Sequence, residues 1–246
     1  MGQRVRRACA RGLEALHRGG VLSSSWAVET TAGSAHDFHL RSLPEPLLPT
    51  LWWFEVEQPT IVLGSAQPVE HLDMAACREH GVDVVRRRSG GGAVLLEPGD
   101  ALWVDVLLPR TDARWTDDVS ASAWWLGEVW QQALARLGVS GTTVHRGPLV
   151  ATTWSSRICF AGAGGGELLA GGRKLVGISQ RRSRAGARFQ CALYRHWRPE
   201  HHVRLLSQPR PTVDDLRHLV APLDLAFDAI RAAFHAALER DPAVRG

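Results

Sequence analysis

The sequence predicts an α+β domain built on a mixed, largely antiparallel sheet that is flanked by helices. Residues 145–194 form short strand-like runs joined by glycine-rich turns, and two helical patterns close the chain. Strands and helices do not alternate strictly, as they would in a doubly wound parallel sheet. These observations favour one sheet with few parallel crossover connections.

The first half of the chain carries four predicted strands and one short helix. Apolar and β-branched runs bounded by turn residues predict the strands Thr60–Gly64, Val82–Arg86, Ala93–Leu96 and Ala101–Leu108. The last of these is expected to be half-buried, because its pattern alternates. A helix over Val69–His80 is expected between the first two.

Helical periodicity is clearest in the second half of the chain. Val119–Leu137 has an apolar residue at every fourth position from Trp125, and Gly138 ends the pattern. The same spacing predicts two closing helices, Val213–Val220 and Leu225–Leu238.

Length and patterning indicate a single domain. With 246 residues the chain can bury a substantial core, and we expect a poorly specified lead-in over residues 1–24 and one domain over 25–246. No apolar run is long enough to cross a bilayer, and no continuous apolar segment follows the basic start of the chain. We therefore expect a cytoplasmic protein without a membrane partner.

Cysteine and charge patterns exclude several classes of site. Cys9, Cys77, Cys159 and Cys191 are widely scattered and match neither a disulfide framework nor a zinc site, so we expect no metal. The formal net charge is +4, and arginines cluster around residues 86–88 and 181–188. No nucleic-acid recognition motif accompanies them, which favours phosphate-bearing ligands or an acidic protein over nucleic acid.

Lys174 is the only lysine, whereas the other 28 of the 29 basic residues are arginines. An amine is compact and can lose its proton when buried, whereas a guanidinium stays charged. A chance survivor on a solvated surface is the alternative. The position of Lys174, between paired glycines and a strand-like run, favours a role in a site.

Two further features have both a chemical and a structural interpretation. The run Arg86-Arg87-Arg88-Ser89-Gly90-Gly91-Gly92 allows backbone N–H groups to surround an anion or a carbonyl oxygen, although such a run also makes a flexible hairpin. Cys159 is a candidate nucleophile if Lys174 or His145 lies close enough to favour its thiolate. A lone cysteine beside apolar residues is more often a small core residue.

Taken together, these motifs resemble the lipoate–protein ligase and octanoyltransferase superfamily. The resemblance covers roughly residues 50–200 and depends on Arg87–Val94, on Gly172–Arg182 and on the strand end Leu63–Gln67. It implies the catalytic fold that lipoate ligases share with biotin ligases, an acyl tunnel, and transfer of a lipoyl or octanoyl group to a lysine on a small carrier domain.

The resemblance also implies which residues do this. It places Lys174 at the reacting carbonyl or phosphate, with Cys159 as the nucleophile of the transferases. The residues expected to bind the substrate or its acyl chain are Gly64, Gln67, Arg88, Ser89, Gly90, Gly91, Gly92, Gly177 and Ser179.

Two chemistries are known on this scaffold. A transferase moves octanoate from an acyl carrier protein through a cysteine acyl-enzyme and needs no cofactor, whereas a ligase activates lipoate with ATP and Mg²⁺ through lipoyl-AMP. The transferase is favoured by the spacing of Cys159, Glu167 and Lys174. In both cases the expected acceptor is a lipoyl carrier domain, either the glycine cleavage H protein or the E2 subunit of a 2-oxoacid dehydrogenase.

Some departures leave another alternative open. The segment Leu95–Gly99 lacks the His-Asp usual after the triple glycine, Ile178 replaces a small residue, and the early helix Ser34–Leu40 lacks the usual Asn and Asp-Glu residues. A non-catalytic acyl-binding module on the same scaffold would fit these changes. A biotin ligase is disfavoured, because no Gly-Arg-Gly-Arg loop is found.

Overall fold

The computed structural model of the chain describes residues 26–240. The predicted lead-in over residues 1–24, including Cys9, lies outside the described residues. Within residues 26–240, no helix is long and apolar enough to cross a membrane.

A seven-stranded sheet forms the centre of the fold. Its spatial order is β1 (Ala27–Gly33), β2 (Thr50–Val56), β6 (Ala101–Pro109), β10 (Gly186–Tyr194), β9 (Arg173–Arg182), β8 (Leu168–Ala170) and β7 (Thr142–Val144). Only the β1–β2 pair is parallel among these described strands, and the other pairs are antiparallel. The predicted mixed, largely antiparallel sheet is confirmed.

A smaller three-stranded sheet packs against the large one. Its order is β4 (Asp83–Arg86), β3 (Thr60–Leu63) and β5 (Val94–Leu96), with β3 parallel to β4 and antiparallel to β5. These strands lie close to the predicted positions because each is a short apolar run that is bounded by turn residues.

Within residues 26–240, six α-helices surround the two sheets. They are α1 (Ala35–Leu40), α2 (Met74–Glu79), α3 (Trp124–Arg136), α4 (Pro199–Leu205), α5 (Val213–Arg217) and α6 (Phe227–Leu238). Helices α3 and α6 pack together over one side of the large sheet, which we call the apolar face and which carries Trp53, Val104 and Phe189. The opposite side, which we call the site face, carries Trp103 and Ala192 and packs against the small sheet.

The structure corrects two predicted helices. The helix expected over Val69–His80 is a short 3₁₀ turn, Val69–His71, followed by α2, because the carboxylate of Asp73 caps the N–H groups of Ala75 and Ala76 and starts a new helix there. The helix expected from Val119 begins only at Trp124. Gln180 donates a hydrogen bond to the Val119 carbonyl oxygen, which ties this segment to β9 instead.

The predicted burial of one strand is also wrong. All nine residues of β6 are buried, whereas the alternating pattern predicted a half-buried strand. β6 lies in the middle of the large sheet, so helices cover its apolar face and the small sheet covers its site face. Strands buried on both sides need not alternate.

Candidate active site

The triple-glycine loop follows β4 and packs tightly against the segment that leads to Cys159. Gly91 has a φ of +96°, which is readily adopted only by glycine, and a Cβ there would lie 3.4 Å from Cys159 Sγ. A Cβ on Gly92 would lie 2.6 Å from the backbone nitrogen of Ile158. The glycines therefore allow the two loops to approach closely and bring the thiol beside the turn.

Backbone hydrogen bonds hold Cys159 at this position. The Cys159 N–H donates to the Ala93 carbonyl oxygen at 2.9 Å, and the Ala93 N–H donates to the Arg157 carbonyl oxygen at 2.9 Å. Cys159 then begins a single 3₁₀ turn, Cys159–Ala161. The thiol is half-buried and is not bonded in a disulfide.

Arg87, and not Arg88, is the arginine that shapes the triple-glycine loop. Its buried guanidinium donates to the carbonyl oxygens of Val62, Gly90 and Gly92 at 3.1, 2.6 and 2.8 Å. Successive side chains of an extended strand point to opposite sides, so Arg88 points outward and is exposed. Arg88, which was expected in the substrate pocket, does not line the cavity that contains Cys159.

Lys174 is buried beside Cys159 rather than on the surface. Its side chain is only 3% exposed, and Nζ donates to the Cys159 carbonyl oxygen at 2.8 Å. Nζ also lies 2.7 Å from Glu167 Oε2 and 5.3 Å from the centre of the Phe160 ring. The only lysine of the chain is thus held within a few ångströms of the candidate nucleophile's backbone.

Glu167 fixes this lysine, whereas the sequence analysis used Glu167 only for its spacing and gave it no role in the site. Its carboxylate accepts from Lys174 and from the backbone N–H groups of Gly164 and Ile178, at 2.7 and 3.1 Å respectively. A buried carboxylate with three donors is rigid, and it compensates the charge of the buried ammonium group. The sequence offered one signal, a lone acid in an apolar stretch seven residues before the only lysine.

Cys159 and Lys174 open into one large cavity. Its volume is about 610 Å³. Its lining also includes Gln67, Gly90, Gly91, Gly92, Leu149, Glu167, Ile178 and Ser179. Lys174 is the one lysine or arginine among the described lining residues, and Glu167 is the one carboxylate. The cavity therefore combines a thiol with a balanced pair of charges and has no net charge.

Most of the other predicted residues lie around this cavity. Gly64 supports the triple-glycine loop from behind, since a Cβ there would lie 1.8 Å from the Gly91 carbonyl oxygen. Gln67 donates to the Arg157 carbonyl oxygen at 3.1 Å. Gly177 lies against Phe160 and lines a narrow extension of about 20 Å³ that reaches inward from Cys159.

Ser89 and Ser179 close the inner end of the site through buried hydrogen bonds. Their hydroxyl oxygens are 2.9 Å apart, and the Ser89 hydroxyl donates to Gln190 Oε1 at 3.0 Å. The Gln190 amide in turn contacts His39 and Asp105. We call Ser89, Ser179 and Gln190 the polar partition.

A buried ion pair, Asp105–Arg188, lies beyond the polar partition. Arg188 also donates to the carbonyl oxygens of Arg41 and Phe38 at 3.0 and 2.9 Å. Burial raises the pKa of Asp105, and the Arg188 guanidinium opposes that rise. Burial, with the nearby Arg188 charge, lowers the pKa of His39 to about 3, so this imidazole is neutral at physiological pH.

The donor set of the cavity does not suit a divalent cation. Among residues 26–240, no group of three or more His, Cys, Asp or Glu side chains is arranged to hold a metal ion. The cavity's carboxylate, Glu167, is already occupied by Lys174. The described side chains that line the cavity offer the Mg²⁺ of a ligase no free carboxylate.

The mixed, largely antiparallel sheet with flanking helices is that of the superfamily that the motifs resemble. Residues 30–234 match the model of the family described as the lipoyl protein ligase A/B catalytic domain, so the chain belongs to this family. A solved lipoate–protein ligase A bound with ATP has the same fold, with a TM-score of 0.66 and 18% identity over 89% of this chain and 85% of that one.

Two curated relatives are more similar in sequence. Octanoyltransferase LipM of Oceanobacillus iheyensis is 28% identical over 137 residues, which cover 55% of this chain and 48% of that protein. The octanoyl-[GcvH]:protein N-octanoyltransferase of Geobacillus kaustophilus is 33% identical over 141 residues, 56% of this chain and 45% of that protein. The chain spans about half the length of these relatives.

Proposed function

We propose that the protein is an octanoyltransferase that passes an acyl group through a thioester on Cys159 to a lysine of a lipoyl carrier domain. The carrying observation is the placement of the Cys159 thiol beside Gly91, in a cavity shared with the buried Lys174–Glu167 pair. The similarity to named octanoyltransferases supports the same reaction.

The first half-reaction forms the acyl-enzyme. The Cys159 thiolate attacks the carbonyl carbon of the donor thioester, a new C–S bond forms, and the donor sulfur leaves with the electrons of the old C–S bond. The Lys174 ammonium gives a proton to the departing thiolate. Backbone N–H groups of the triple-glycine loop stabilise the oxyanion of the tetrahedral intermediate.

The second half-reaction makes the amide and restores the site. The amine of the carrier's lysine attacks the Cys159 thioester, and Cys159 leaves as a thiolate. Lys174, neutral after the first half-reaction, takes the proton that the attacking nitrogen loses. The ammonium and the thiolate are both regenerated, and Glu167 holds Nζ in place throughout.

The charge of the cavity favours this reaction over an ATP-dependent ligase. A triphosphate requires cations, but the one cation among the described lining residues is Lys174, and Glu167 already balances it. Arg88, which the ligase interpretation would place on the adenylate phosphate, is exposed and lies outside the cavity. A thioester donor is uncharged at its reacting end and needs no such compensation.

The proposal includes the partners that the sequence predicts. The donor is octanoyl acyl carrier protein, and the acceptor is an apo lipoyl domain of an H protein or an E2 subunit. The name of the Geobacillus kaustophilus relative adds an octanoylated H protein as an alternative donor. Cys77, Cys159 and Cys191 are free, which supports the cytoplasmic location that is part of this proposal.

Intact-mass spectrometry tests the proposal directly. The protein is incubated with an apo lipoyl domain and either octanoyl acyl carrier protein or an octanoylated H protein without ATP, and separately with an apo lipoyl domain, lipoate, ATP and Mg²⁺. We expect an octanoyl adduct on the enzyme and on the lipoyl domain in the first reaction only. Acylation of the lipoyl domain that occurs only with ATP would instead establish the ligase. No acylation in either reaction would favour the non-catalytic acyl-binding module.

A matched pair of variants localises the acyl-enzyme. Cys159→Ser removes the thiol in the cavity, whereas Cys191→Ala removes one that is buried on the apolar face. We expect the adduct on the enzyme to vanish in Cys159→Ser and to persist in Cys191→Ala. An adduct that survives Cys159→Ser rules out this nucleophile.

A further inference from the structure

A second pocket lies on the far side of the polar partition and is lined by arginines. Its volume is about 150 Å³, and its lining contains Arg41, Arg88, Arg181 and Arg188 together with His39, Leu43, Ser183 and Gln190. No carboxylate is among these described lining residues. We call this the arginine pocket, and the acyl transfer proposed above makes no use of it.

The floor of the arginine pocket is a built and rigid surface. Arg188 and Gln190 are buried, with exposures of 7% and 6%, and both are fixed by hydrogen bonds to Asp105. Arg41 is stacked on the Trp52 ring at 3.8 Å and paired with Glu29. Nη1 of Arg41 is buried, and no hydrogen-bond partner for it exists within residues 26–240.

The charges of the pocket leave an excess of about two positive units at neutral pH. Asp105 compensates Arg188, and Glu29 compensates Arg41. Arg88 and Arg181 are exposed and have neither an ion-pair nor a hydrogen-bond partner within the described part of the chain. His39 adds no charge, because burial keeps it neutral.

We propose that the arginine pocket binds a phosphate-type dianion, such as inorganic phosphate or the phosphate group of a monoester. Two uncompensated guanidinium groups match a double negative charge, and their planar forks bind phosphate oxygens in pairs. This inference goes beyond the acyl transfer and does not depend on it. No described residue that lines the arginine pocket also lines the large cavity.

Binding measured by calorimetry at constant ionic strength tests the proposal. The purified protein is titrated with inorganic phosphate, pyrophosphate, glycerol phosphate and, as a dianion of another class, succinate. We expect saturable 1:1 binding of at least one of the three phosphate ligands and weaker binding of succinate. Tighter glycerol phosphate than inorganic phosphate would indicate a monoester as the ligand, and the reverse would indicate a free phosphate ion. Equal or tighter succinate binding overturns the phosphate assignment.

Substitutions of exposed arginines inside and outside the pocket locate the binding site. The double variant Arg88→Gln/Arg181→Gln removes the two uncompensated guanidinium groups, and we expect the Kd to rise by about tenfold or more. Arg184→Gln removes an exposed arginine nearby that does not line the pocket, and we expect the Kd to change by less than about twofold. All three positions are exposed, so we expect these substitutions to leave the fold and its stability unchanged.

Besides the succinate result, two outcomes would overturn the proposal. One is the absence of saturable phosphate binding by the unaltered protein. The other is an equal loss of affinity in Arg184→Gln and in the double variant, which would mean that binding reflects the general positive charge of the surface. The Lys174→Met variant provides a check on location, because binding in the arginine pocket persists in it, whereas binding in the acyl cavity would be lost.

Discussion

The two faces of the large sheet differ in what they bury. The apolar face packs Trp53 and Phe189 against α3 and α6, with Trp130 and Phe234 in contact at 4.2 Å between ring centres. The site face buries the Asp105–Arg188 pair and the polar partition beside an otherwise apolar cluster. Buried polar groups cost free energy unless every one is bonded, so their concentration on one face indicates that this face is organised for chemistry and the other for stability.

The largest effect that this comparison predicts is on activity at Lys174. Lys174→Met should lower kcat of acyl transfer by about 10²- to 10⁴-fold, because it removes the proton donor and acceptor of both half-reactions. It also leaves Glu167 buried and unpaired, so the melting temperature should fall. Steady-state kinetics and thermal unfolding measure the two effects.

A double variant separates these effects. Lys174→Met/Glu167→Gln removes both charges, so it should recover much of the lost stability and remain inactive. Recovery of activity in the double variant would show that Lys174 only balances the charge of Glu167 and transfers no proton.

On the apolar face the expected effect is on stability alone. Phe234→Ala should reduce the free energy of unfolding by about 3–5 kcal/mol, because it empties a fully buried aromatic site. Urea denaturation measures this loss, and kcat at a temperature where the variant is folded should stay near that of the unaltered protein. A large fall in kcat would contradict the division between the two faces.

Acid should destabilise the protein through the site face. Burial lowers the pKa of His202, which packs on Tyr194, from 6.5 to about 4. The unfolded chain therefore binds a proton that the folded one excludes, and stability falls as the pH drops from about 6.5 towards 4, by about 3 kcal/mol for this group.

The variant His202→Phe tests this titration. Its stability should fall less steeply over the same pH range, by about one proton in the slope of unfolding free energy against pH. An unchanged slope would show that His202 does not contribute.

The smallest predicted effect concerns two glycines of the site. A Cβ on Gly64 would overlap the Gly91 carbonyl oxygen, whereas a Cβ on Gly90 would meet no atom within 4 Å. Gly64→Ala should therefore cost about 1–3 kcal/mol of stability and displace the triple-glycine loop, with a loss of kcat. Gly90→Ala should be tolerated, and similar losses in both variants would contradict the close packing of this loop.

The sequence predicted the elements that are locally encoded. The strands of the small sheet are short apolar runs between turns, and α6 has a clear apolar side, so both were identified. Strand β1 was not, because Ala27–Gly33 contains few apolar residues and lies at the edge of the sheet, where only pairing with β2 makes it a strand. Strand β2 was missed as well, although it is rich in aromatic residues.

The site was predicted less completely than the fold, because its pairings join distant parts of the chain. Lys174 stood out by its rarity, yet its ion pair with Glu167 is recognised only once β8 and β9 are adjacent. The sequence analysis placed Arg88 rather than Arg87 in the site, and this error was avoidable. In an extended run the inward positions alternate, and Val85, Arg87 and Ser89 are the buried ones.

The backbone link between Ala93 and the Cys159 segment has a consequence for how this scaffold can diversify. It anchors the thiol from the triple-glycine side, independently of the stretch 145–153, in which Leu149 is 72% exposed at the cavity rim. That stretch can be grafted from a homologue or randomised in a library while the Cys159 sulfur keeps its position in the cavity. Selection for a new acceptor protein should therefore begin there.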